Sequence, residues 1–264
     1  MKKLIIIISV LTLVSLLFAG CKENKTDTTG AVTSADSTEK TSDNGEKAKI
    51  GGEVKVGNTV TFGSYEQDND ISNGKEAIEW IVLAVKDGKA LLLSKYGLDS
   101  QPFNKEYEGV TWENCTLRVW LNGDFADAAF GEAEKAIICE TKLVNADNPT
   151  EGTDGGNDTT DKIFILSLDE AVNTEYGFSG DHNAEDALRQ CAPTAYARSL
   201  NCLTEENTSS AYYGNCRWRL RTPSFDSDVI LDVAAGGTIK LDGGLSIGGS
   251  MIAVRPALWI DLGV

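Results

Sequence analysis

The sequence IEWIVLAVKDGKALLLSKY, residues 78–96, predicts a β-hairpin around which the rest of the chain is expected to fold. Its two halves, 78–85 and 89–96, are apolar runs of strand length that are rich in isoleucine, valine, leucine and aromatic residues. Lys86, Asp87 and Gly88 separate the two runs, and Asp-Gly is a common pair in the tight turns that join antiparallel strands. The stretch therefore predicts two paired strands with little exposure to water.

Other elements follow from their own patterns. Residues 58–65 alternate in polarity and predict a strand, and the apolar run at 161–166 predicts a buried strand. Apolar residues at helical spacing predict a helix over 112–125, which Asn122 and Gly123 are expected to end. Shorter helices are predicted at 132–138, at 167–173 behind a capping box of Ser167 and Glu170, and at 193–200 with Pro193 as first residue.

The last third of the chain is rich in strand patterns and in glycine. Residues 216–221, CRWRLR, alternate, so the three arginines are expected on one face of a strand and the apolar residues on the other. Further strands are predicted at 228–234, 238–241 and 252–260, with Pro256 at an edge or a bulge of the last. Strands open and close the domain with helices between them, which predicts an α+β fold.

Composition excludes several classes of function. The chain has 264 residues, and its 41% hydrophobic content suits a globular core. A formal charge of −16 and a pI near 4.5 argue against a nucleic-acid partner and against adsorption to anionic lipid. His182 is the only histidine, which excludes metal sites with two or more histidines. The sequence contains no nucleophile elbow, P-loop or dinucleotide fingerprint.

The N-terminus predicts export. Lys2 and Lys3 precede an apolar run at 4–18, which is short for a membrane span and typical of a signal peptide. LFAGC at residues 17–21 resembles the bacterial lipobox, which implies cleavage after residue 20 and a diacylglyceryl group on Cys21. The alternatives are an ordinary secretory signal and an uncleaved anchor. Lipidation predicts a mature protein attached to the cell membrane on its extracytoplasmic side.

Three segments follow from this boundary. Residues 1–20 form the signal peptide, and their removal would change the formal charge from −16 to −18 because they contain two lysines and no acid. Residues 21–52 are rich in threonine, serine and charged residues, which predicts a disordered polar tether. Residues 53–264 then form a single α+β domain, since no second linker is present.

Five cysteines remain after Cys21, so one at least is free or paired with another chain. They show no CxxC spacing and no histidine partner, which argues against zinc. Cys191 and Cys216 flank a polar loop and are the first candidates for a disulfide, with Cys202–Cys216 as the rival pairing and reduced, buried cysteines as the alternative.

Several short motifs resemble an uncharacterised bacterial family, the domain of unknown function 6273. The resemblance covers residues 54–262 in the family's order, and its motifs are FGSY at 62–65, ALLLSKY at 90–96, WEN at 112–114, LRVWLN at 117–122, GTDGGNDTTD at 152–161, PTAYAR at 193–198, RWRLRTP at 217–223 and VRPALW at 254–259. The family has no established activity. The chain has Trp218-Arg219 where the family often has two adjacent tryptophans.

The ending of the chain is also similar to C-type-lectin-like and sulfatase-modifying-factor folds. That similarity implies paired N- and C-terminal strands, short helices and long loops rich in glycine and aspartate. The Glu-Pro-Asn sugar signature of lectins and the paired catalytic cysteines of the modifying enzymes have no counterpart. The resemblance therefore implies a fold and assigns no activity.

Calcium is the only cofactor that the pattern suggests. Asp154, Asn157, Asp158 and Asp161 follow Asp147 and Asn148 in a loop punctuated by glycine, and oxygen ligands of this kind suit calcium. The spacing is not that of an EF-hand. A network of Asx turns is the alternative, because aspartate, asparagine and glycine form turns without a metal.

A second candidate site is the local excess of positive charge in the last third. Its members are Arg217, Trp218, Arg219, Arg221 and Arg255. Arginine binds carboxylates in two-pronged fashion, so this set could hold an anionic ligand. The alternative is pairing with the domain's own acidic residues. The five tryptophans are expected in the core, with at most one lining a ligand groove.

These features together predict a lipid-anchored, extracytoplasmic binding module without catalytic residues. Its ligand would be a glycan, a cell-wall component or a protein. The alternative is an enzyme that acts on the cell wall, on glycans or on proteins, and hydrolysis of a glycan would require two carboxylates about 5–10 Å apart in a cleft. A substrate-binding lipoprotein of a transporter is a third option, but the chain lacks two lobes of alternating strands and helices.

Overall fold

The predicted hairpin is present in the computed structural model, which describes residues 48–249 and 251–263. Glu76–Lys86 and Lys89–Ser94 pair antiparallel, and Lys86 faces Lys89 across the turn. Asp87 and Gly88 have φ values of 52° and 70°, which is the conformation that a two-residue hairpin turn requires. The strand predicted at 58–65 is also confirmed, as Thr59–Tyr65.

The described residues, 48–249 and 251–263, belong to one compact unit. Its strands are β1 (Thr59–Tyr65), β2 (Glu76–Lys86), β3 (Lys89–Ser94), β4 (Asp99–Ser100), β5 (Thr141–Leu143), β6 (Thr159–Asp161), β7 (Ile163–Phe164), β8 (Trp218–Pro223), β9 (Val229–Val233), β10 (Leu245–Ser246), β11 (Ala253–Val254) and β12 (Ala257–Asp261). Its helices are α1 (Thr116–Trp120), α2 (Ala126–Ala129), α3 (Glu132–Ile137), α4 (Leu168–Ala171) and α5 (Ala195–Ser199). Sheets with a few short helices confirm the α+β class.

Two five-stranded sheets organise the domain. The first has the order β1-β2-β3-β12-β7, the second has the order β10-β9-β8-β11-β4, and β5 pairs with β6. The chain passes from the second sheet to the first at Arg255 and Pro256, between β11 and β12. Pro256 therefore lies at the crossing between sheets, and β12 has partners on both sides. The sequence predicted a strand edge or a bulge at Pro256, whereas the structure has a crossing between the two sheets there.

The first and last strands share a sheet but do not pair. In the described residues β1 pairs with β2, whereas β12 lies between β3 and β7. The expected pairing of N- and C-terminal strands is therefore wrong, because the β2–β3 hairpin lies between them.

The helix predicted over 112–125 is longer and less regular than its pattern suggests. A 3₁₀ turn at Trp112–Asn114 precedes α1, and a π-helical turn at Leu121–Phe125 connects α1 to α2. Asn122 does not end the helix, because its side chain donates to the carbonyl oxygens of Arg118 (3.0 Å) and Ile163 (2.9 Å). Its amide oxygen accepts from the backbone N–H of Lys162 and Ile163. Asn122 thus joins the widened turn to the segment that carries β7.

Smaller differences concern element boundaries. The capping box of Ser167 and Glu170 is confirmed, although its helix, α4, ends at Ala171. Thr194 caps α5, so Pro193 precedes the helix instead of beginning it. Residues 161–166 divide between β6 and β7, and 238–241 contribute only an isolated bridge from Ile239 to Val233.

The core contains buried residues of both sheets, and its aromatic cluster lies on the first sheet. Trp80 is fully buried, and its indole N–H donates to the carbonyl oxygen of Phe62 at 2.7 Å. Phe130 packs on Phe62 and on Trp80, with ring centroids 5.2 and 6.3 Å apart, and Phe125 meets Phe130 edge to face. These contacts fix α2 on β1 and β2 and leave the loops of the second sheet to form clefts.

Candidate ligand-binding cleft

A cleft of about 440 Å³ opens beside the second sheet, where β8 and β9 meet the loops that follow them. Its volume is within the range of small-ligand sites in proteins. The cleft combines cationic, acidic, hydroxyl and small apolar groups. The lining residues are Leu203, Thr204, Glu205, Arg217, Asp232, Ala234, Ala235, Thr238, Lys240, Gly243 and Gly244.

The Arg217–Asp232 ion pair forms one wall of the cleft. Strand pairing places Arg219 opposite Asp232, and Arg217, two residues earlier on the same face, reaches Asp232 diagonally. The Arg217 Nε and Nη2 atoms donate to the two carboxylate oxygens at 2.5 and 2.9 Å. Asp232 is buried and the Arg217 side chain is 38% exposed. Among the described residues Nη1 of Arg217 has no hydrogen-bond partner, so one edge of the guanidinium faces the cleft.

Backbone contacts hold the other wall of the cleft, which contains Leu203 and Thr204. The N–H of Arg217 donates to the carbonyl oxygen of Leu203 at 3.2 Å, and Thr204 bridges Cys216. Gly244, with φ of 135°, closes the cleft beside β9, and a Cβ atom there would lie 2.5 Å from the carbonyl oxygen of Ile230. The position therefore requires glycine.

The chemistry of the cleft suits a ligand that is both acidic and hydroxylated. Lys240 is exposed and makes no described ion pair, and the free edge of Arg217 offers a second cationic donor. Glu205, Thr204 and Thr238 offer groups that can hydrogen bond to hydroxyls. The cleft holds two acidic residues, Asp232 and Glu205, besides its two cationic ones. Asp232 is paired with Arg217, so Lys240, which has no described ion pair, is the cation that would attract an anionic group.

The structure revises the expected arginine site to Arg217 alone. Trp218, Arg219 and Arg221 are buried because both faces of β8 are covered, and Arg255 is buried between β11 and β12. The Trp218 indole donates to the carbonyl oxygen of Arg189 at 2.7 Å and reaches no surface.

The buried arginines bind groups of the domain itself. Arg221 pairs with Glu170 at 2.5 Å and also donates to the Ile165 carbonyl oxygen. Arg219 donates to the carbonyl oxygens of Leu245, Ser246 and Gly249, and burial lowers its pKa to about 10. Pairing with the domain's own acidic residues, the alternative interpretation, therefore describes Arg217 with Asp232 and Arg221 with Glu170. Arg219 and Arg255 donate instead to backbone carbonyl oxygens.

The suggested calcium loop uses its side chains in other ways. Asp161 is buried and accepts from Arg118 Nε (2.6 Å), Trp112 Nε1 (3.0 Å) and the Thr159 hydroxyl (2.8 Å). Asp158 pairs with Lys142 at 3.3 Å. The loop's remaining candidates also have partners within the domain.

Asp154 accepts from the Gly156 N–H, and Asn157 donates to Glu113. Asp147 accepts from the Gly155 N–H, and Asn148 makes turn bonds of the same kind. Within the described residues the three aspartates 154, 158 and 161 do not gather their oxygen atoms into one group. The geometry is that of Asx turns and a buried ion pair.

A different acidic group lies after β1. Oxygen atoms of Glu66, Asp68 and Glu76 lie within 4.8 Å of one another. Glu76 accepts from the backbone N–H of Gln67, and Asp68 accepts from the Asn73 side chain, which lowers the pKa of Asp68. These are local bonds of a surface turn.

The five cysteines of the described domain are free thiols, so neither candidate disulfide is formed in this structure. Cys191, Cys202 and Cys216 are nevertheless neighbours, because the Cys216 thiol contacts both of the others. Cys115 is buried elsewhere, and Cys139 is the most exposed of the five.

A second concave surface was not expected from the sequence. Trp259 on β12 is partly exposed and lines a pocket of about 350 Å³ with Lys86, Lys89 and Lys142. The motif VRPALW contains a pattern that could have indicated it. Side chains alternate along β12, so Trp259 lies on the other face of the strand from the buried Leu258 and Ile260. The lysines come from three elements, so no local pattern marks them.

Cys21, the signal peptide and most of the predicted tether lie outside the described residues. Among the helices that the structure describes, none combines the length and the apolar character needed to cross a bilayer.

The sequence model of a family described as Domain of unknown function (DUF6273) matches residues 87–262, which is more than half of the chain. The match includes every residue that lines the cleft. No curated protein and no solved structure matches the chain.

Proposed function

The chain belongs to the DUF6273 family, and we propose that it is a lipid-anchored, extracytoplasmic binding module that holds an acidic glycan in the cleft around Arg217. The glycan would be free or part of the cell wall. The observation that carries the proposal is the free edge of Arg217 facing a cleft that also holds Lys240 and several hydroxyl-binding groups.

The Arg217–Asp232 pair suits recognition better than catalysis. Both oxygens of the buried Asp232 accept hydrogen bonds from Arg217, so this carboxylate holds the guanidinium in place. The same pair fixes the guanidinium plane before a ligand arrives, which reduces the entropy lost on binding. Arg217 is therefore a prearranged donor for a carboxylate.

The size and rim of the cleft favour a short segment of sugar. A volume of about 440 Å³ accommodates one or two rings, and the small side chains of Ala234 and Ala235 leave room for them. Glu205 and the threonines can accept or donate hydrogen bonds to hydroxyls, and the cations would hold the acid group.

We expect the full chain to bind an oligosaccharide that ends in glucuronate more tightly than the same oligosaccharide ending in glucose. Lys240→Gln should weaken binding of the acidic ligand about 3- to 10-fold, since an exposed charge contributes about 1 kcal/mol. Binding of the neutral ligand should not change. Calorimetric titration of both proteins with both ligands measures these differences.

Lys105→Gln is the matched control, because Lys105 is equally exposed and lies outside the cleft. Equal affinity for the two ligands, or equal weakening by both variants, would contradict the proposal. Shortening of either oligosaccharide during the titration, detected by mass spectrometry and lost in Glu205→Gln, would favour the alternative of a glycan-acting enzyme.

The finer fold assignment is also a proposal. We infer a distant C-type-lectin-like arrangement, supported by the way two sheets form a base while loops at 203–205 and 234–244 carry the cleft. The separation of β1 from β12 is a departure from that arrangement.

Attachment to the membrane rests on the lipobox-like sequence before Cys21. We expect the mature protein to begin at an acylated Cys21 and to enter the detergent-rich phase when a detergent extract separates. Cys21→Ser should abolish both properties, and Cys139→Ser should preserve them because Cys139 belongs to the folded domain. N-terminal mass spectrometry makes the measurement, and an unmodified N-terminus in the wild type would refute the anchor.

A further inference from the structure

Three cysteines from distant parts of the sequence meet beside the crossing between the two sheets. Cys191, Cys202 and Cys216 are 2%, 6% and 0% exposed. The Cys216 thiol contacts the thiols of both Cys191 and Cys202. Since the three sulfur atoms do not form one group within 4.8 Å, Cys216 lies between its two neighbours.

The backbone holds Cys191 and Cys216 together more firmly than the other pair. The N–H of Cys216 donates to the carbonyl oxygen of Cys191 at 2.7 Å, and the Cys216 thiol donates to the same oxygen at 3.3 Å. Cys202 approaches through the neighbouring bridge between Thr204 and Cys216. The geometry therefore favours Cys191 as the partner of Cys216.

A buried arginine without a carboxylate partner lies next to this pair. Arg255 is fully buried, and its guanidinium donates to the carbonyl oxygens of Ser94 (2.9 Å) and Leu188 (3.1 Å). It also lies over the Trp218 ring at 5.0 Å. No described carboxylate comes within ion-pair distance of it, and its Nη2 atom has no hydrogen-bond partner.

A buried guanidinium remains charged and is costly without an anion. Burial lowers the pKa of Arg255, and the neighbouring Cys191 and Cys216 sulfurs and the Asp186 carboxylate act against that shift. Burial raises the pKa of Cys191, but the hydrogen bond from Cys216 and the charge of Arg255 together outweigh it, so this pKa is lowered. Hydrogen bonds with Cys191 and Cys202, together with burial, raise the pKa of Cys216.

We propose that Cys191 and Cys216 form a reversible disulfide, and that Arg255 is a positioning residue that stabilises the Cys191 thiolate of the reduced state. Formation of the disulfide removes the thiolate and leaves Arg255 without an anion. The disulfide is consequently easier to reduce than one without a buried cation beside it, because its reduced form is stabilised.

Hydrogen peroxide is the small two-electron oxidant that this step uses. The Cys191 thiolate attacks one peroxide oxygen, the O–O bond breaks, and Cys191 becomes a sulfenic acid while hydroxide leaves. The Cys216 sulfur then attacks the Cys191 sulfur, the S–O bond breaks, and the second hydroxide leaves. These hydroxides take the proton of Cys216 and the one that Cys191 gave up on ionising. Two thiols and one hydrogen peroxide thus give one disulfide and two waters.

The test treats the full chain with hydrogen peroxide and maps its disulfides by mass spectrometry of peptides. We expect the linked Cys191–Cys216 peptides to appear, with the loss of two hydrogen atoms, and to disappear after treatment with a small dithiol. Cys202→Ser should form the same link at the same rate, whereas Cys191→Ser and Cys216→Ser should not. A Cys202–Cys216 link in the wild type, or no link, would overturn the proposal.

The role of Arg255 is tested separately, by measuring the thiol–disulfide equilibrium. In glutathione buffers Arg255→Met should shift the thiol–disulfide equilibrium about tenfold toward the disulfide, the change that corresponds to one unit of pKa. Arg255→Lys should restore most of the wild-type value. A purely structural role would leave the equilibrium of both folded variants unchanged.

A second measurement does not depend on the folding of the Arg255 variants. The reduced wild type should show the ultraviolet absorbance of a thiolate at neutral pH, which Cys191→Ser loses and Cys202→Ser keeps. Absence of this absorbance from the wild type would contradict a stabilised thiolate at Cys191.

Discussion

Replacement of Arg189 by methionine is expected to lower the free energy of unfolding by about 3–5 kcal/mol, as loss of a buried charged group from its hydrogen-bond network does elsewhere. Arg189 is fully buried. Its guanidinium donates to five backbone carbonyl oxygens at 2.6 to 3.3 Å, which belong to Ala171, Ser179, Asp181, Ala184 and Gly237. Methionine fills much of the volume of the arginine's aliphatic chain but leaves the five carbonyl oxygens without a hydrogen-bond donor.

The effect should extend to the cleft. Gly237 lies in the turn after Ala234 and Ala235, and a Cβ atom at Gly237 would lie 2.4 Å from the carbonyl oxygen of Asp186. Arg189 holds that turn through its Nε bond of 2.6 Å to Gly237. We therefore expect Arg189→Met to weaken ligand binding as well, even though Arg189 does not line the cleft.

Arg198→Met is the matched control. Arg198 is an exposed arginine whose guanidinium donates to one carbonyl oxygen, that of Gly214, at 2.7 Å. Its replacement should cost less than about 1 kcal/mol. Chemical denaturation of both variants gives the comparison, and similar losses in the two would show that the carbonyl network around Arg189 is not a source of stability.

Asp161→Ala is expected to lower the free energy of unfolding by about 2–4 kcal/mol, because it leaves buried donors without their acceptor. The Trp112 indole N–H and the Arg118 guanidinium both lose a carboxylate oxygen. Trp112 is fully buried, so water cannot easily replace the lost bond. The change should loosen the link between β6 and the helical segment that contains Trp112.

Removal of calcium distinguishes a role of Asp161 in the ion pair from a role as a metal ligand. If the carboxylate serves the ion pair that the structure contains, a calcium chelator should change the unfolding midpoint of neither the wild type nor the variant. Asp154→Ala, at an exposed position of the same loop, should stay within about 0.5 kcal/mol of the wild type. Stabilisation of the wild type by calcium, lost in both variants, would instead establish the metal site.

Local chemistry made much of the first sheet predictable. The β2–β3 hairpin follows from apolar runs around Asp87 and Gly88, because few residue pairs accept positive φ at both turn positions. The capping box of Ser167 and Glu170 is likewise a bond between residues three apart. Such features depend only on neighbours in the sequence, which is why the pattern is sufficient.

Features that depend on distant partners could not be predicted in this way. The sequence predicts that Asn122 ends the helix. In the structure Asn122 bonds to Lys162 and Ile163, about forty positions along the chain, and the helical segment continues past it. The alternation of CRWRLR correctly indicates a strand but does not reveal that a second layer covers its outer face. Only the fold distinguishes Arg217, which lines the cleft, from Arg219 two residues later.

The sequence predicted that the candidate site would contain arginine, but it did not predict which other residues form it. An excess of arginine in an acidic chain pointed to the correct strand. Lys240, Glu205 and the alanines at 234–235 reach the cleft from loops whose paths depend on glycine positions and on the buried arginines. Sequence patterns carry no information about such convergence.

The central place of β12 has a consequence for the order in which the domain can assemble. The last strand of the described chain fills the position between β3 and β7, and its register with β3 runs from Ala257 to Asp261. Until these residues have been synthesised, the two parts of the first sheet have no strand to join them. Contacts between segments so far apart in the sequence slow folding, because a long loop must close before any pairing energy is gained. During synthesis the first sheet therefore stays incomplete until residues 257–261 have left the ribosome, and a chain interrupted before them would lack the strand that joins its two parts.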